Sequence, residues 1–422
     1  KSMHFLRVRI YLRGHKYDIR DDVTLIDTPL LSSCFHNGKY EDRYFDKIQN
    51  YTEKNIYFIP SLMKNSSVSW KEFVKDVEKS REYRFIFKEA FITIFDYLYL
   101  IEYYAYCLAL SVRKYGYGDI DVTPLIRDSI LKGSCCVPSL KGVLNDRFIK
   151  RLKKTSFRIN NLISWYEGRP SEIMLQRAFR KYYPDRTCIG YIGFPHFEFS
   201  LGEYISEEQY VQNIAPLKMT VPGMVYEEQA KQFCDKVDLI RVPILRNNYK
   251  SEIAQMPAKR KILVILPFFE EAANKMLHIV NEYMRLKSHD VDIVVKNHPV
   301  HKGRTIDYYL KEQLYFVPQY VEEDLIKALK GISLAYISRS TASLEVLSQG
   351  VFLVNLCPAG ELRSTAIPDN MDKEDYRIVY DEKETFEAFE FGLWQRKGNR
   401  NQLNLTDLLE PINERTVGRM WD

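Results

Sequence analysis

Two stretches decide the fold that this sequence predicts: Asp-Ile-Val-Val-Lys-Asn-His-Pro at residues 292–299, and Leu-Ala-Tyr-Ile-Ser-Arg-Ser-Thr-Ala-Ser-Leu-Glu-Val-Leu-Ser-Gln-Gly at residues 334–350. Each begins with a short apolar run typical of a buried strand and then breaks into polar residues. The polar residues concerned are Lys296, His298, Ser338, Ser340 and Thr341, the last three where a helical pattern starts. Strand carboxyl ends followed by helix N-termini are where open α/β sheets bind phosphate. We interpret the two stretches as a nucleotide-phosphate site.

The segments around these stretches alternate strand and helix patterns. The predicted strands are Lys261–Leu266, Val291–Lys296, Tyr315–Val317, Leu334–Ile337 and Val351–Leu356, and the predicted helices are Glu270–Leu286, Ile306–Gln313, Glu322–Lys330, Thr341–Gln349 and Phe386–Gln395. Strict alternation of apolar strands with amphipathic helices predicts a parallel sheet in a doubly wound domain.

A second α/β region is predicted upstream. Its strands are Phe5–Leu12, Val23–Leu31, Asn55–Pro60, Asn160–Tyr166 and Thr187–Phe194, with a helix through Tyr182 between the last two. The polar composition of residues 247–260 is typical of a linker between domains. The predicted fold class is therefore α/β, with two Rossmann-like domains facing a cleft. The predicted domains are residues 1–246 and 261–395, followed by a tail at residues 396–422 that packs back on the domain pair.

Composition limits the classes of function. The chain has 422 residues, 45% of them hydrophobic, which is normal for a globular protein of two domains. Its net charge of +5 gives no strong polyanion-binding surface, so we expect no nucleic acid partner. Seven cysteines without a CxxC pair argue against a disulfide framework and a zinc site, and a reducing cytoplasm fits best. The chain begins with Lys1, and whether it is one module of a longer enzyme stays open.

One apolar segment, Ala90–Val112, is long enough to span a bilayer. Asp96 and Glu102 lie inside it, and each would be costly near the bilayer centre. The sequence therefore predicts a long, mostly buried helix rather than a spanning segment. The Tyr- and Phe-rich region Trp70–Lys114 is also a candidate for contact with a partner or a membrane.

The residues of the two opening stretches suggest specific roles. His298 can donate to a phosphate oxygen or, as imidazolium, offset leaving-group charge, and Pro299 fixes the turn. Ser338, Ser340 and Thr341 can cap the helix while backbone N–H groups face an anion. Glu345 lies on the same helix face and can accept hydrogen bonds from a ribose. Alternatively, His298 is an ordinary loop histidine and Glu345 an exposed carboxylate on a well-capped helix.

A second group of candidates follows the predicted upstream strands. Glu167, directly after a strand and on the side of the expected cleft, is the first choice for a general base. Arg169 can pair with a sugar carboxylate, and we expect Glu172 to cap or orient its helix. His196 is a second candidate base. Alternatively, Glu167 only complements a helix dipole, and His196 is a packed loop histidine.

Common motifs for binding a metal ion, a dinucleotide or ATP are missing from the sequence. We find no DxD pair after a strand, no GxGxxG fingerprint, no Walker A loop and no HExxH, so we expect a metal-independent reaction without a cofactor. Pro267, which ends the predicted strand Lys261–Leu266, would approach the same cleft from the C-terminal domain.

The Lys-Asn-His-Pro turn, followed about forty residues later by Ser-x-Ser-Thr-x-Ser-x-Glu, resembles a family. It is similar to GT-B glycosyltransferases that use CMP-activated sugars, such as bacterial sialyltransferases and Kdo transferases of capsule and O-antigen synthesis. The resemblance covers roughly residues 257–395 and implies that the HP and Ser/Thr motifs hold CMP. This chain has Ser-Arg-Ser-Thr where many relatives carry adjacent serines. Residues 167–172 and 190–196 also look like the E-x-x-P-x-E and G-x-x-H pattern of bacterial surface-carbohydrate biosynthesis proteins.

This resemblance implies a cytoplasmic glycosyltransferase, which a lipid-linked acceptor would bring to the inner face of the cell membrane. The C-terminal domain would bind a CMP-linked donor, with Kdo or another nonulosonic acid as the sugar, and the N-terminal domain a glycan or lipid-linked glycan acceptor. Glu167 would be a general base if the reaction inverts configuration, or a nucleophile if it retains configuration. Two alternatives stay open: a CDP-polyol phosphotransferase of the teichoic-acid type, and a non-catalytic nucleotide-binding subunit of a polysaccharide assembly.

Overall fold

The computed structural model describes residues 22–421, except 32–33, 37–38, 47, 64–68, 81–83, 198–199, 247–258, 288–289, 302, 359–364, 368–370, 372 and 396–407. The chain divides into two compact units. The first contains the described residues of Lys1–Gly193, Gly202–Arg246 and Glu410–Asp422, and the second those of Phe194–Leu201 and Asn247–Leu409. The predicted strand Phe5–Leu12 and nearly all of the predicted linker lie outside the described residues.

The first unit is built on a parallel sheet. The strands of this sheet are β1 (Val23–Leu31), β2 (Ile56–Met63), β3 (Ile159–Trp165), β4 (Thr187–Tyr191), β5 (Lys218–Val221) and β6 (Asp238–Arg241). They lie in the order β6-β5-β4-β3-β1-β2, and neighbouring strands pair in parallel. The order reverses between β1 and β3, and such a reversal opens a crevice at the carboxyl ends of the strands.

Helices and short hairpins complete the first unit. The helices are α1 (Trp70–Lys79), α2 (Lys88–Phe91), α3 (Ile94–Ala109), α4 (Thr123–Ser134), α5 (Val137–Leu152), α6 (Pro170–Tyr182), α7 (Glu207–Val211) and α8 (Met224–Lys231). The hairpins pair Phe35–His36 with Lys39–Tyr40 and Gly116–Tyr117 with Ile120–Asp121, and single 3-10 turns lie at Ile48–Tyr51 and Leu201–Glu203. Phe148 of α5 and Leu175 and Phe179 of α6 join Leu25 and Leu162 of the sheet in one core.

The prediction of a long, mostly buried helix over Ala90–Val112 is wrong. The helical region is broken at Ile92, which is extended, and α3 then runs only to Ala109. Most of its side chains are exposed, including Phe95 at 72% and Ile101 at 67%. Apolar character along the sequence therefore does not correspond to burial in this helix.

The second unit contains another parallel sheet. Its strands are β7 (Arg260–Ile265), β8 (Val291–Lys296), β9 (Pro318–Tyr320), β10 (Leu334–Ile337), β11 (Phe352–Leu356) and β12 (Tyr376–Val379). The order β9-β8-β7-β10-β11-β12 is that of a dinucleotide-binding doubly wound sheet, and every pair is parallel. With a parallel α/β sheet in each unit, the predicted fold class of two Rossmann-like domains is confirmed.

The helices of the second unit are α9 (Glu270–Lys287), α10 (Ile306–Tyr309), α11 (Leu325–Ala328), α12 (Ala342–Ser348) and α13 (Glu382–Glu390), with a 3-10 turn at Pro299–His301 and a π-turn at Phe391–Gln395. Met276, Val280 and Tyr283 of α9 pack against Ile262 and Val264 of β7 in a continuous core. This burial explains why β7 and the other inner strands are nearly continuous apolar runs.

Several predicted elements of the second unit are shorter or shifted. The helix predicted at Ile306–Gln313 ends at Tyr309, because Leu310 adopts an extended conformation and is buried. The strand predicted at Tyr315–Val317 lies instead at Pro318–Tyr320, and β12 was not predicted. Short elements are set by tertiary packing more than by local pattern.

The C-terminal residues belong to the first unit. A short helix, α14 (Glu414–Gly418), follows Glu410, whose backbone N–H donates to the carbonyl of Pro222 at 2.8 Å. Arg419 donates to the carbonyl of Arg241 at 2.9 Å. These bonds hold the C-terminal residues against the ends of β5 and β6. None of the helices in the described part of the chain is long and apolar enough to cross a membrane.

Candidate functional site

The carboxyl edge of the second sheet brings most of the predicted donor-site residues to one region. The strand order reverses between β7 and β10, so the crevice expected for a ligand lies at the ends of these two strands. Pro267 follows β7, and Ser338 follows β10 directly. Lys296 ends β8, which neighbours β7, and is paired in register with Ile265. Parallel pairing therefore places all three connections at the same edge.

Ser338 is not available in the way that the sequence suggested. Its side chain is 1% exposed, and its hydroxyl donates to the carbonyl of Leu356 at 3.0 Å. Since Leu356 ends β11, this bond ties the ends of β10 and β11 together. Ser338 therefore shapes the edge, and its proton is committed within the protein.

The next three residues form the turn into α12. Arg339 is exposed and has a φ of 47°, a left-handed conformation that is uncommon for a residue other than glycine. The Ser340 hydroxyl accepts from the backbone N–H of Ala342 at 3.2 Å, whereas the Thr341 side chain makes no capping bond. Both are half-buried. The turn thus presents a guanidinium-bearing side chain and two hydroxyls at the reversal point.

Glu345 lies in the first turn of α12, and Lys296 ends β8. Glu345 is half-buried in α12, where its backbone carbonyl accepts from the Ser348 hydroxyl at 2.7 Å. The Lys296 ammonium donates to the backbone carbonyl of Glu323, in the connection that follows β9. Lys296 therefore joins two neighbouring connections.

Two histidines enclose Phe268 at the end of β7. The His298 ring lies 5.5 Å from the Phe268 ring in an edge-on arrangement, and the His301 ring stacks on Phe268 at 5.8 Å. His301 is 7% exposed, and its Nε2 lies 2.8 Å from the carbonyl of Phe268. Pro299 is exposed and opens the single turn that ends at His301. His301 thus fixes the connection after β8 to the connection after β7.

The sequence reasoning missed His301. The signal was present in His-Pro-Val-His, where the second histidine follows the first by three residues, the separation of one tight turn. It also missed an open groove of about 540 Å³ beside the start of α9. There the Glu270 carboxylate accepts from Arg304 at 2.6 Å and from the Tyr308 hydroxyl at 3.0 Å. These bonds, with the Arg304 charge, lower the pKa of Glu270.

At the carboxyl edge of the first sheet, Glu167 follows β3 as predicted, and its carboxylate accepts a hydrogen bond at each oxygen. One oxygen accepts from the Trp165 indole N–H at 2.6 Å, and the other accepts from Arg169. Arg169, predicted to bind a sugar carboxylate, is therefore paired with a carboxylate of the protein itself.

Glu172 caps α6, the role that its place in the first turn predicted. Its Oε2 accepts from the backbone N–H groups of Glu167 at 2.7 Å and Arg169 at 3.1 Å. Burial outweighs these hydrogen bonds and raises the pKa of Glu172 to about 7. Its carboxyl group therefore changes protonation near neutral pH.

The Glu167 turn also depends on a glycine. Gly168 has a φ of +71°, and a Cβ placed on it would lie 1.8 Å from the backbone oxygen of Gly202. Only glycine allows this approach of the two backbones.

His196 belongs to a different compact unit from Glu167 and Arg169. It is 3% exposed, and its ring lies 6.3 Å from Phe194. Both residues fall in Phe194–Leu201, which belongs to the second compact unit, whereas the prediction placed them in the N-terminal domain. A buried side chain in this position is the packed loop histidine of the alternative interpretation. Among the described residues no cluster of His, Cys, Asp and Glu is arranged to hold a metal ion.

No family model matches this chain, and no curated protein is significantly similar to it in sequence. Solved structures share its fold. The UDP-GlcNAc 2-epimerase of Methanocaldococcus jannaschii, solved with UDP-GlcNAc and UDP, has a TM-score of 0.50 and 12% identity over 95% of this chain and 98% of that one. The chain is also similar to the kitacinnamycin glycotransferase (TM-score 0.48, 10% identity, 95% and 93% covered) and to the glycosyltransferase SnogD from Streptomyces nogalater (0.46, 9%, 95% and 98%).

At these identities the similarity concerns the fold alone. The match to the archaeal epimerase agrees with the GT-B type of fold that the sequence predicted, with a parallel α/β sheet in each half. The CMP-linked donor predicted from the short motifs finds no support in these structures.

Proposed function

We propose that this protein is a glycosyltransferase that binds a nucleotide-activated sugar at the carboxyl edge of its second sheet. The observation that carries the proposal is the meeting of three connections at the strand-order reversal between β7 and β10. These connections supply Phe268, His298 and the turn from Arg339 to Thr341. Phosphate-bearing ligands bind at such reversal points in doubly wound sheets.

Each group at this edge has a role suited to its surroundings. Arg339 and His298 would bind and offset the negative charge of the departing nucleotide phosphate, by charge-assisted hydrogen bonds. The hydroxyls of Ser340 and Thr341 would donate to phosphate oxygens, and Glu345 would accept from the ribose. Ser338 and Lys296 would hold the edge in shape through bonds to Leu356 and Glu323.

The donor and acceptor are the finer part of the proposal. The resemblance of the HP and Ser/Thr motifs favours a CMP-linked donor carrying Kdo or another nonulosonic acid. The archaeal epimerase with a similar fold binds UDP-GlcNAc and UDP, so UDP-linked donors must be tested beside CMP-linked ones. The acceptor would be a glycan or a lipid-linked glycan of the bacterial surface.

Glu167 can serve as a general base while it stays bonded to Trp165 and Arg169. In the structure Arg169 donates to one carboxylate oxygen, and each carboxylate oxygen keeps a second lone pair that can accept from an acceptor hydroxyl. An anionic sugar whose carboxylate draws Arg169 away would release Glu167 at the same step. This exchange would link the partners of the Glu167 carboxylate to the carboxylate of the substrate.

The same observation supports a second candidate function. A Glu167 carboxylate held permanently by Trp165 and Arg169 suits a nucleotide-binding subunit of a polysaccharide assembly that performs no transfer. Such a protein would bind nucleotide at the second sheet without consuming a donor.

Thermal unfolding with CMP, CDP, UDP, GDP and ADP tests the nucleotide site. A ligand at one hundred times its dissociation constant stabilises the folded state by about 2.7 kcal/mol. We expect selective stabilisation by CMP or UDP. Release of nucleotide from CMP-Kdo or UDP-GlcNAc, with a glycan acceptor present, then separates the transferase from the binding subunit. Stabilisation by none of the five nucleotides would refute both functions.

A further inference from the structure

Strand β1 carries a buried carboxylate, Asp27, near the point where β3 ends. Asp27 is 6% exposed and is paired in register with Ser164, the residue before the last of β3. Its Oδ1 accepts from the Lys88 ammonium at 2.9 Å and from the Ser61 hydroxyl at 3.3 Å, and a buried carboxylate needs such partners. This ion pair therefore lies at the carboxyl edge of the first sheet, where the strand order reverses between β1 and β3.

Helix α5 brings a second lysine, Lys141, towards the start of α6. The Asn145 side-chain amide donates to the carbonyl of Ser171, in the first turn of α6, at 2.8 Å. Lys141 precedes Asn145 by four residues and therefore lies on the same face of α5. Arg169 is the N-cap residue of α6, and α2, which begins with Lys88, also contacts α5. Basic side chains from three segments therefore gather at one edge.

The electrostatic surroundings of Lys141 agree with this arrangement. Lys141 is exposed, and yet partial desolvation by the surrounding protein, followed by the charge of Lys88, lowers its pKa. The Arg169 charge acts in the same direction, whereas Asp27 and Glu89 act in the opposite one. The Lys141 ammonium is therefore close enough to the other two basic groups to be repelled by them. An anion bound among them would relieve this repulsion.

The three basic groups differ in their partners. Lys88 and Arg169 each form an ion pair with a carboxylate of the protein. In the part of the chain that the structure describes, no carboxylate forms an ion pair with Lys141. Burial raises the pKa of Glu89 and of Glu172, which disfavours the charged forms of these two neighbouring carboxyl groups. Lys141 is thus a third positive charge beside two ion pairs, and its ammonium is available to an incoming anion.

We propose that Lys141 and Arg169 together bind an oxyanion of the acceptor, a phosphate or a carboxylate, at the carboxyl edge of the first sheet. Lys141 would supply a point charge, and Arg169 a planar pair of N–H donors that suits either oxyanion. Lys88 would stay bonded to Asp27 and add its charge to theirs. This assignment rests on the proposed function, because a substrate bound in the first unit, with the nucleotide bound in the second, is the acceptor. It narrows the acceptor to one that carries a negative charge.

Pyridoxal phosphate, an aldehyde that carries a phosphate, tests the site by covalent labelling. The aldehyde condenses with the uncharged amine of a lysine and releases water, borohydride then reduces the imine, and a peptide mass map locates the label. We expect Lys141 to be labelled at least about fivefold faster than Lys150, because Arg169 would hold the phosphate nearby and the lowered pKa of Lys141 leaves more of its amine uncharged. Lys150 is the matched control, since it is exposed on the same helix. Inorganic phosphate or free Kdo should slow the labelling of Lys141 and leave that of Lys150 unchanged, whereas sodium chloride at equal ionic strength should slow neither.

The alternative outcomes are distinct. Protection by phosphate alone would identify a phosphate-bearing acceptor, and protection by Kdo alone a carboxylate-bearing one. Equal labelling of Lys141 and Lys150, or protection by chloride as strong as that by either oxyanion, would overturn the proposal. Lys141→Gln should keep the nucleotide-dependent rise in unfolding temperature, because Lys141 lies in the first unit. A protein that binds nucleotide without protection at Lys141 loses only the oxyanion site, whereas protection without nucleotide binding keeps that site and removes the acceptor assignment together with the proposed function.

Discussion

The carboxyl edges of the two sheets are alike in topology and differ in how their polar groups are bonded. Each sheet reverses its strand order once, at β1 and β3 in the first and at β7 and β10 in the second. At the first edge, Glu167, Arg169 and Glu172 bond to one another and to the local backbone. At the second edge, the Ser340 hydroxyl accepts from the Ala342 N–H and can still donate its own proton, and the Thr341 side chain makes no capping bond.

The position of a side chain at a strand end and its availability to bind a ligand are therefore separate properties. Position follows from the parallel topology, which places every connection after a strand at one edge. Availability depends on local partners, and a carboxylate that already accepts a hydrogen bond at each oxygen is more strongly held in place than a free one. The comparison predicts that changes at the first edge affect stability, whereas changes at the second affect nucleotide binding.

The largest effect expected from the comparison is that of Gly168→Ala. The new Cβ would meet the Gly202 backbone oxygen at 1.8 Å, and the left-handed conformation would add strain. We expect the free energy of unfolding to fall by about 4 kcal/mol, measured by urea denaturation. Gly118→Ala is the control, because Gly118 has a φ of +56° with no atom within 4 Å of its Cβ position. It should lose about 1–2 kcal/mol. Equal losses would show that the two backbones are not in close contact.

Next in size is the pH dependence that Glu172 imposes on the first edge. Burial raises its pKa from the ordinary value of 4.5 to about 7, so between these pH values the folded state binds more protons than the unfolded state. Its contribution is therefore fully present below pH 4.5 and is lost as the pH rises through 7. Between pH 4.5 and 8 the unaltered protein should lose roughly 3 kcal/mol more stability than Glu172→Gln, by urea denaturation at each pH.

A matched control for Glu172 lies in α1. Glu72 is also the third residue of its helix and caps it, but it is exposed, and its bonds to Ser69 lower its pKa. Glu72→Gln should remove a stabilisation that is lost on acidification, which is the opposite trend. If Glu172→Gln and the unaltered protein have parallel stability curves, the buried carboxyl group is not what makes the first edge sensitive to pH.

Much of the fold was predictable because long buried strands and amphipathic helices carry strong patterns. β1 was predicted with its observed bounds, Val23–Leu31, and β8 and β10 likewise. The short elements at Pro318–Tyr320 and Tyr376–Val379 were shifted or missed, since three or four residues hold too little pattern. The error in α3 has a different cause. The apolar residues of α3 predicted burial, whereas in the structure the acidic side chain of Asp96, near the start of the helix, is buried.

The sequence predicted which segments after the strands meet at the candidate site. His298 and Ser340 lie at the edge that the strand ends indicated. The sequence does not predict which side chains bond to one another, because it does not specify the directions in which they point. Examples are the hydrogen bonds from Ser338 to the Leu356 carbonyl and from Arg169 to Glu167. The assignment of His196 to the second unit likewise depends on how the chain crosses between units near residue 194.

Nucleotide affinity should depend on side chains of the second edge and not on those of the first. His298→Ala should weaken binding of whichever nucleotide stabilises the protein by about tenfold to a hundredfold, because a hydrogen bond to charged phosphate contributes about 1.5–3 kcal/mol. Isothermal titration calorimetry measures it. Glu167→Gln is the control and should leave the affinity unchanged. Equal weakening by both variants would place the nucleotide at the first edge as much as at the second.

The smallest expected effects are those of Ser338→Ala and Ser340→Ala, one on stability and the other on nucleotide affinity. Ser338→Ala removes a buried hydrogen bond to the Leu356 carbonyl, so the free energy of unfolding should fall by about 1 kcal/mol while nucleotide affinity stays the same. The Ser340 hydroxyl accepts from the Ala342 N–H and can still donate its own proton to a phosphate oxygen. Ser340→Ala should therefore weaken nucleotide binding about fivefold, as one neutral hydrogen bond contributes about 1 kcal/mol. If Ser338→Ala weakens binding as much as Ser340→Ala does, the buried hydroxyl reaches the ligand after all, and the second edge must open before nucleotide binds.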